Sequence, residues 1–155
     1  MAQEDGRRVV LRNRKARHEY DILETYEAGL VLRGAEVKSL RQGDASFTDA
    51  FARVEDGEVW LHNLHIKPWH AASRDAPDPK RTRKLLLRES EIEKLAVETR
   101  QRGRTLVPLD LYFRDGWAKT TLALAEGKKH HDKREDLKRE AMRREAEREI
   151  KKHRG

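Results

Sequence analysis

Short runs of alternating apolar and polar residues, punctuated by Asp-Gly pairs, mark most of the chain between residues 19 and 125. FTDAFARV (47–54) and EVWLHNLHI (58–66) flank Asp56-Gly57, and LDLYF (109–113) and WAKTTLALA (117–125) flank Asp115-Gly116. An Asp-Gly pair supplies the positive φ angles that a two-residue hairpin loop needs, so both regions are predicted as β-hairpins. A further strand pair is predicted at 19–26 and 29–32. Pro108 has no amide to give a ladder, which puts it at a strand start, an edge or a bulge.

Two helices are predicted between the strands. Ser90 and Glu93 have capping-box spacing, and Ile92, Leu95, Ala96 and Thr99 follow at i, i+3, i+4 and i+7, with Gly103 as a stop. The stretch 35–42 is a shorter helix that buries Val37 and Leu40 and ends at Gly43. Residues 70–84, with Pro77 and Pro79, read as an exposed loop, and residues 1–12 as a flexible lead-in. The expected fold is mainly β: a small closed antiparallel barrel of OB-like type, about six strands, with two or three helices.

Charge changes the picture at the C-terminus. Residues 127–155 hold twelve Lys or Arg and seven Asp or Glu, a net +5 of the +7 carried by all 155 residues. Leu137, Met142 and Ile150 are the large apolar side chains of that segment. Such a tail buries too little apolar surface to offset the entropy of ordering it. It is rich in Ala, Glu, Lys and Arg, so it is helix-capable against a charged partner. The expected organisation is a lead-in (1–12), a β domain (13–126) and a basic tail (127–155), disordered alone. A pI near 9.8 with clustered charge points to a nucleic-acid partner.

The chain has no Cys, hence no disulfide or thiolate metal site, which fits a reducing cytosol. No eighteen-residue apolar run is present, and the N-terminus has no signal-peptide core. Walker, GxSxG and zinc motifs are absent, so neither an enzyme nor a cofactor or metal is expected. His62 and His65 would face opposite sides of a strand, which makes them poor joint metal ligands.

Three clusters carry candidate chemistry: NRKARHEY (13–20), KRTRKLLL (80–87) and GKKHHDKRE (127–135). Each mixes phosphate-neutralising cations with groups that stack on or hydrogen-bond to bases. This selects Lys15, Arg17, Arg83 and Lys84 as candidate RNA contacts. Of three consecutive leucines in RKLLL, at least one must face outward on a strand.

These segments, with EAGLVLRGAEVKSLRQGDASFTDAFARV and TLVPLDLYF between them, occur in the order and spacing of the SmpB family. The sequence resembles these SsrA-binding proteins of bacterial trans-translation from residue 13 onward. The resemblance implies a bacterial cytoplasmic, monomeric adaptor. Such an adaptor binds the tRNA-like domain of transfer-messenger RNA and, with elongation factor Tu and GTP, brings it to stalled ribosomes. It further implies an RNA surface that includes Asn13, His18, Glu27 and Leu86, and basic contacts at Lys128, Lys129, Lys133 and Arg134. His131 and Asp132 would reach small-subunit RNA at the decoding centre, with the tail helical in the message channel.

From the residues alone, Glu27 reads as a turn before Gly29 in preference to an RNA contact, because a carboxylate repels phosphate. Two other functions stay open on the same basis. One is a general OB-type module for single-stranded RNA. The other is a metal-dependent ribonuclease, for which Asp44, Asp49 and Asp56 are the candidate cluster although their spacing matches no metal motif.

Overall fold

A computed structural model describes residues 3–4, 6–69, 76–128 and 141–148, the first pair by backbone alone. In chain order the elements are β1 (Gln3–Glu4), β2 (Arg7–Arg12), α1 (Ala16–Glu19), β3 (Tyr20–Leu30), α2 (Gly34–Arg41), β4 (Ala45–Ser46), β5 (Phe51–Glu55), β6 (Glu58–His62), β7 (His65–Ile66), β8 (Arg83–Leu86), α3 (Glu89–Glu98), β9 (Arg104–Arg114) and β10 (Trp117–Gly127). Residues 141–148 are also helical, with every side chain exposed.

Eight strands form one antiparallel sheet in the order β1-β2-β9-β10-β3-β8-β6-β5. The Ala52↔Leu106 bridge joins β5 back to β9, so six of the strands make a ring. The ring encloses the main core, where Leu40, Leu61, Leu64, Leu95, Leu106, Leu111 and Leu122 are fully buried. Burying each such side chain is worth roughly 1.5–3 kcal/mol.

Both Asp-Gly hairpins form, with Asp56 and Gly57 at φ 50° and 75° and Asp115 and Gly116 at 50° and 82°. Two positive φ values in succession give the turn whose twist matches paired strands. Pro108 lies at a bulge: Asp110 faces Thr121 and Pro108 faces Leu122, leaving Leu109 as the extra residue. There the missing amide costs no ladder bond.

Several expectations are corrected. Residues 20–30 form one continuous strand instead of two, paired with β10 along nearly all its length. Ala28 is fully buried in the core, so the Glu-Ala-Gly sequence passes through the sheet instead of turning. Arg7–Arg12, expected as lead-in, forms β2 along the outer edge of β9 and covers backbone groups that would otherwise be an open edge. The cap of α3 falls at Arg88, whose amide donates to Glu91 Oε1 at 3.1 Å, two residues before the predicted box. The α2 cap is alike, with the Arg33 amide donating to Glu36 Oε1 at 2.9 Å.

Arg83 and Lys84, expected in an exposed loop, belong to β8, and Arg83 is completely buried. Its Nε donates to Glu36 Oε2 at 2.8 Å, while Nη1 and Nη2 donate to the carbonyls of Leu64 at 2.5 Å and Pro79 at 3.1 Å. Arg81 Nε adds bonds to both oxygens of Glu36 at 3.0 and 3.1 Å. Burial opposes ionisation of Glu36, but the hydrogen bonds from Arg81, the Arg33 amide and Arg83 outweigh it, and its carboxyl is held below the usual range. The charge of Arg83 is thus spent inside the fold, locking the approach to β8 against α2.

Candidate nucleic-acid interface

Residues directly opposite each other on paired strands share a face, and alternate residues along a strand return to it. On the outside of the ring this gives three rows. The first is Arg7, Arg114 and Trp117; the second Val9, Tyr112, Lys119, Gly29 and Leu86; the third Arg12, Asp110, Thr121 and Glu27.

Glu27 organises the middle of this face. Its Oε2 accepts from the Tyr112 hydroxyl and from Arg114 Nη1, both at 2.5 Å, and its Oε1 accepts from Lys119 Nζ at 2.9 Å. Partial burial opposes ionisation, but the bonds from Lys119 and Tyr112, with the Arg114 charge, hold the carboxyl below its ordinary range. Burial and the contact with Glu27 push the Tyr112 hydroxyl well above its own range, so it stays a donor. Arg7 lies 5.0 Å from the Tyr112 ring centre and Arg114 lies 5.8 Å from it. One acid therefore fixes two cations and a phenol at a surface about one-third exposed. Such an arrangement presents positive charge in set positions, the geometry needed to tell a polyanion of one shape from generic phosphate.

Leu86 extends the face. It is 53% exposed, whereas its neighbour Leu85 is 1% exposed, which settles which of the leucines faces out. Gly29 lies opposite it, and a Cβ there would come within 3.3 Å of the Leu86 Cβ. Lys84, two residues away on the same face, is held by Glu58 at 2.9 Å.

A second patch surrounds α1. Asn13 is half-buried and donates its amide side chain to the Pro108 carbonyl at 2.9 Å, while its backbone amide donates to Leu109 at 2.8 Å. It thereby anchors the entry to α1 on the β9 bulge. Lys15, Arg17 and His18 are exposed on and beside α1. Ala16 is buried with Val107, Ala123 and Ala125 in a small second core that seats the helix on the sheet. The Lys128 amide donates to the Glu19 carbonyl at 3.0 Å, so the chain leaves β10 beside this patch. Glu27 lies seven residues along β3 from Tyr20, roughly 23 Å at about 3.3 Å per residue. The structure thus resolves the RNA candidates into two areas of one surface.

Of the remaining candidates, Lys129, His131, Asp132, Lys133 and Arg134 lie outside the described residues. Arg83 is excluded from any RNA surface by its burial. Sequence reasoning passed over Arg7, Tyr112, Arg114, Lys119 and Trp117. The signal for four of them was present, since the Asp115-Gly116 loop sets Arg114 opposite Trp117 and Tyr112 opposite Lys119. Among the described residues no three His, Asp or Glu side chains gather to hold a metal ion, and Asp44, Asp49 and Asp56 form no such group.

A ring of strands whose outer face sets Arg114 and Lys119 on Glu27 and Lys84 on Glu58 has the make-up of a nucleic-acid-binding β protein. The profile of the SmpB protein family matches residues 10–152. An SsrA-binding protein of Desulforudis audaxviator is 57% identical over 137 residues, 88% of this chain and 89% of its own length. One from Thermobifida fusca is 53% identical over 149 residues, 96% of this chain and 93% of its own. A solved chain from the structural study "tmRNA-SmpB: a journey to the center of the bacterial ribosome" superposes with TM-score 0.67 at 52% identity, covering 82% of this chain and 93% of that one. The chain belongs to the SmpB family.

Proposed function

We propose that this protein is an RNA-binding adaptor of trans-translation. It binds transfer-messenger RNA and acts with it on the ribosome. The observation that carries this reading is the family match over residues 10–152, which spans nearly all of the outer face and most of the basic tail. In finer terms, the ring acts as a closed OB-like barrel that grips the tRNA-like domain around Glu27, Lys119 and Leu86. The α1 patch, with Asn13, Lys15, Arg17, His18 and Lys128, takes further backbone. Lys129, Lys133 and Arg134 add phosphate contacts, and His131 and Asp132 reach the decoding centre of a stalled ribosome. The tail, helical at residues 141–148, lies in the empty message channel. The protein works as a monomer in the bacterial cytoplasm, is delivered with elongation factor Tu, and carries out no chemical step itself.

Sequencing the RNA that copurifies with the full chain tests this reading. Transfer-messenger RNA should dominate. Recovery of unselected single-stranded RNA would favour a general OB-type module instead. Mg²⁺-dependent cleavage of bound RNA, lost on replacing an Asp, would favour a ribonuclease.

A further inference from the structure

The family match starts at residue 10, yet the sheet starts earlier. Arg7 lies before the matched region, pairs with Arg114 across β2 and β9, and covers the Tyr112 ring. Arg114 in turn faces Trp117 where the β9–β10 hairpin closes. Trp117 is 73% exposed, more than Leu23, Val31, Leu86, Val97 or Met142. A tryptophan left in water at a hairpin tip wastes a large apolar surface unless a partner covers it. The row Arg7–Arg114–Trp117 is continuous with the Glu27 network, because Arg114 belongs to both.

We propose that Arg7, Arg114 and Trp117 form a nucleotide-binding edge that extends the RNA face beyond Glu27, with Trp117 stacking on an unpaired base and Arg7 taking the adjoining phosphate. A planar ring flanked by guanidinium groups is the chemistry that holds an unstacked nucleotide and its backbone. Glu27 neutralises part of the Arg114 charge and fixes its position. Arg7 pairs with Glu4 across β1 and β2, and its guanidinium lies 5.0 Å from the centre of the Tyr112 ring, an aromatic face that leaves guanidinium edges to bond phosphate oxygens. The second strand thus adds to this chain a cation that the matched region does not contain.

The proposal rests on the RNA-binding reading, and the test separates the two. Binding of the full chain to purified tRNA-like domain RNA is measured by titration at matched ionic strength, with tryptophan fluorescence recorded. A wild-type protein that does not bind defeats the functional reading itself. Given wild-type binding, Trp117→Ala should weaken it about tenfold, whereas Trp117→Phe should keep most of it, because stacking tolerates different rings. Arg7→Ala should reduce the slope of log affinity against log salt by about one. Wild-type fluorescence should be quenched on saturation, and the quench should shrink in Trp117→Phe. Trp117→Ala binding within twofold of wild type, or quenching that is the same with and without Trp117, would overturn the edge. If the Ala variant does not fold, the comparison of quenching decides.

Discussion

The Tyr112 hydroxyl donates to Glu27 Oε2 at 2.5 Å and so ties β9 to β3 across the intervening β10. With Arg114 and Lys119 on the same carboxylate, Glu27 is a positioning acid within a basic face. Glu27→Ala should therefore separate affinity from specificity. Released from the acid, Arg114 and Lys119 gain free positive charge, so affinity for random RNA should stay level or rise. Their fixed geometry is lost, so affinity for the tRNA-like domain should fall at least about tenfold, as expected for a charge-assisted contact of ~1.5–3 kcal/mol. Equal loss for both RNAs, or no loss for either, in a folded variant would refute the positioning role.

Neighbouring leucines offer a test of register. Leu85 is 1% exposed in the core and Leu86 is 53% exposed outside it. Leu85→Ala should cost about 2–5 kcal/mol in chemical denaturation. Leu86→Ala should change stability by less than about 0.5 kcal/mol, yet weaken RNA binding. Comparable destabilisation by both changes would contradict the outward placement of Leu86.

The sequence revealed those features that short-range chemistry decides. Asp56-Gly57 and Asp115-Gly116 announce their hairpins because only certain residues adopt consecutive positive φ angles. The helical face of Ile92, Leu95, Ala96 and Thr99 follows from its spacing, and Leu95 is the fully buried member. Features decided by distant pairing were hidden. Glu27-Ala28-Gly29 looks like a turn in isolation, and only pairing with β10 and β8 shows it extended. Arg83 looks like a member of a basic patch, but it alternates with Leu85, so any register that buries one buries the other. Its partner Glu36 lies 47 residues away, beyond the reach of local pattern. The Glu27 site was half legible: the acid could be named by resemblance, whereas Tyr112, Arg114 and Lys119 converge on it only in the folded sheet.

The backbone bonds of Gly127 and Lys128 tie the end of β10 to Gly103 and to the last residue of α1. Gly127 donates to Gly103 at 3.0 Å, and Lys128 to Glu19 at 3.0 Å. A protein ended after Lys128 should keep the melting temperature of the full chain to within a few degrees and still bind the tRNA-like domain. It should fail to support peptide tagging on stalled ribosomes, because residues 129–155 are gone. Normal tagging by the shortened protein, or complete loss of RNA affinity, would show that this division of labour is wrong. In the full chain, His131→Ala should impair tagging with little effect on affinity for isolated transfer-messenger RNA, and an aromatic replacement should retain more activity.

Glu36 gives the fold its expected acid sensitivity. Its carboxyl is 4% exposed, faces the buried Arg83, and titrates below its ordinary value of 4.5. A carboxylate whose pKa is lowered on folding stabilises the protein above its unfolded value, and that contribution disappears as pH falls through the folded value. Glu36→Gln leaves Arg83 buried without a counter-charge and should cost about 3–5 kcal/mol at neutral pH, a fall of roughly 10 °C in melting temperature. The gap between wild type and variant should be full at neutral pH and begin to close only below about pH 4.5, as the wild-type carboxyl takes up its proton. Adding Arg83→Met to Glu36→Gln should recover part of the loss, since an apolar side chain of similar reach carries no desolvation penalty. Thermal melts across the acid range measure all three proteins. A gap that stays constant throughout that range would mean that Glu36 acts through packing and not through its charge.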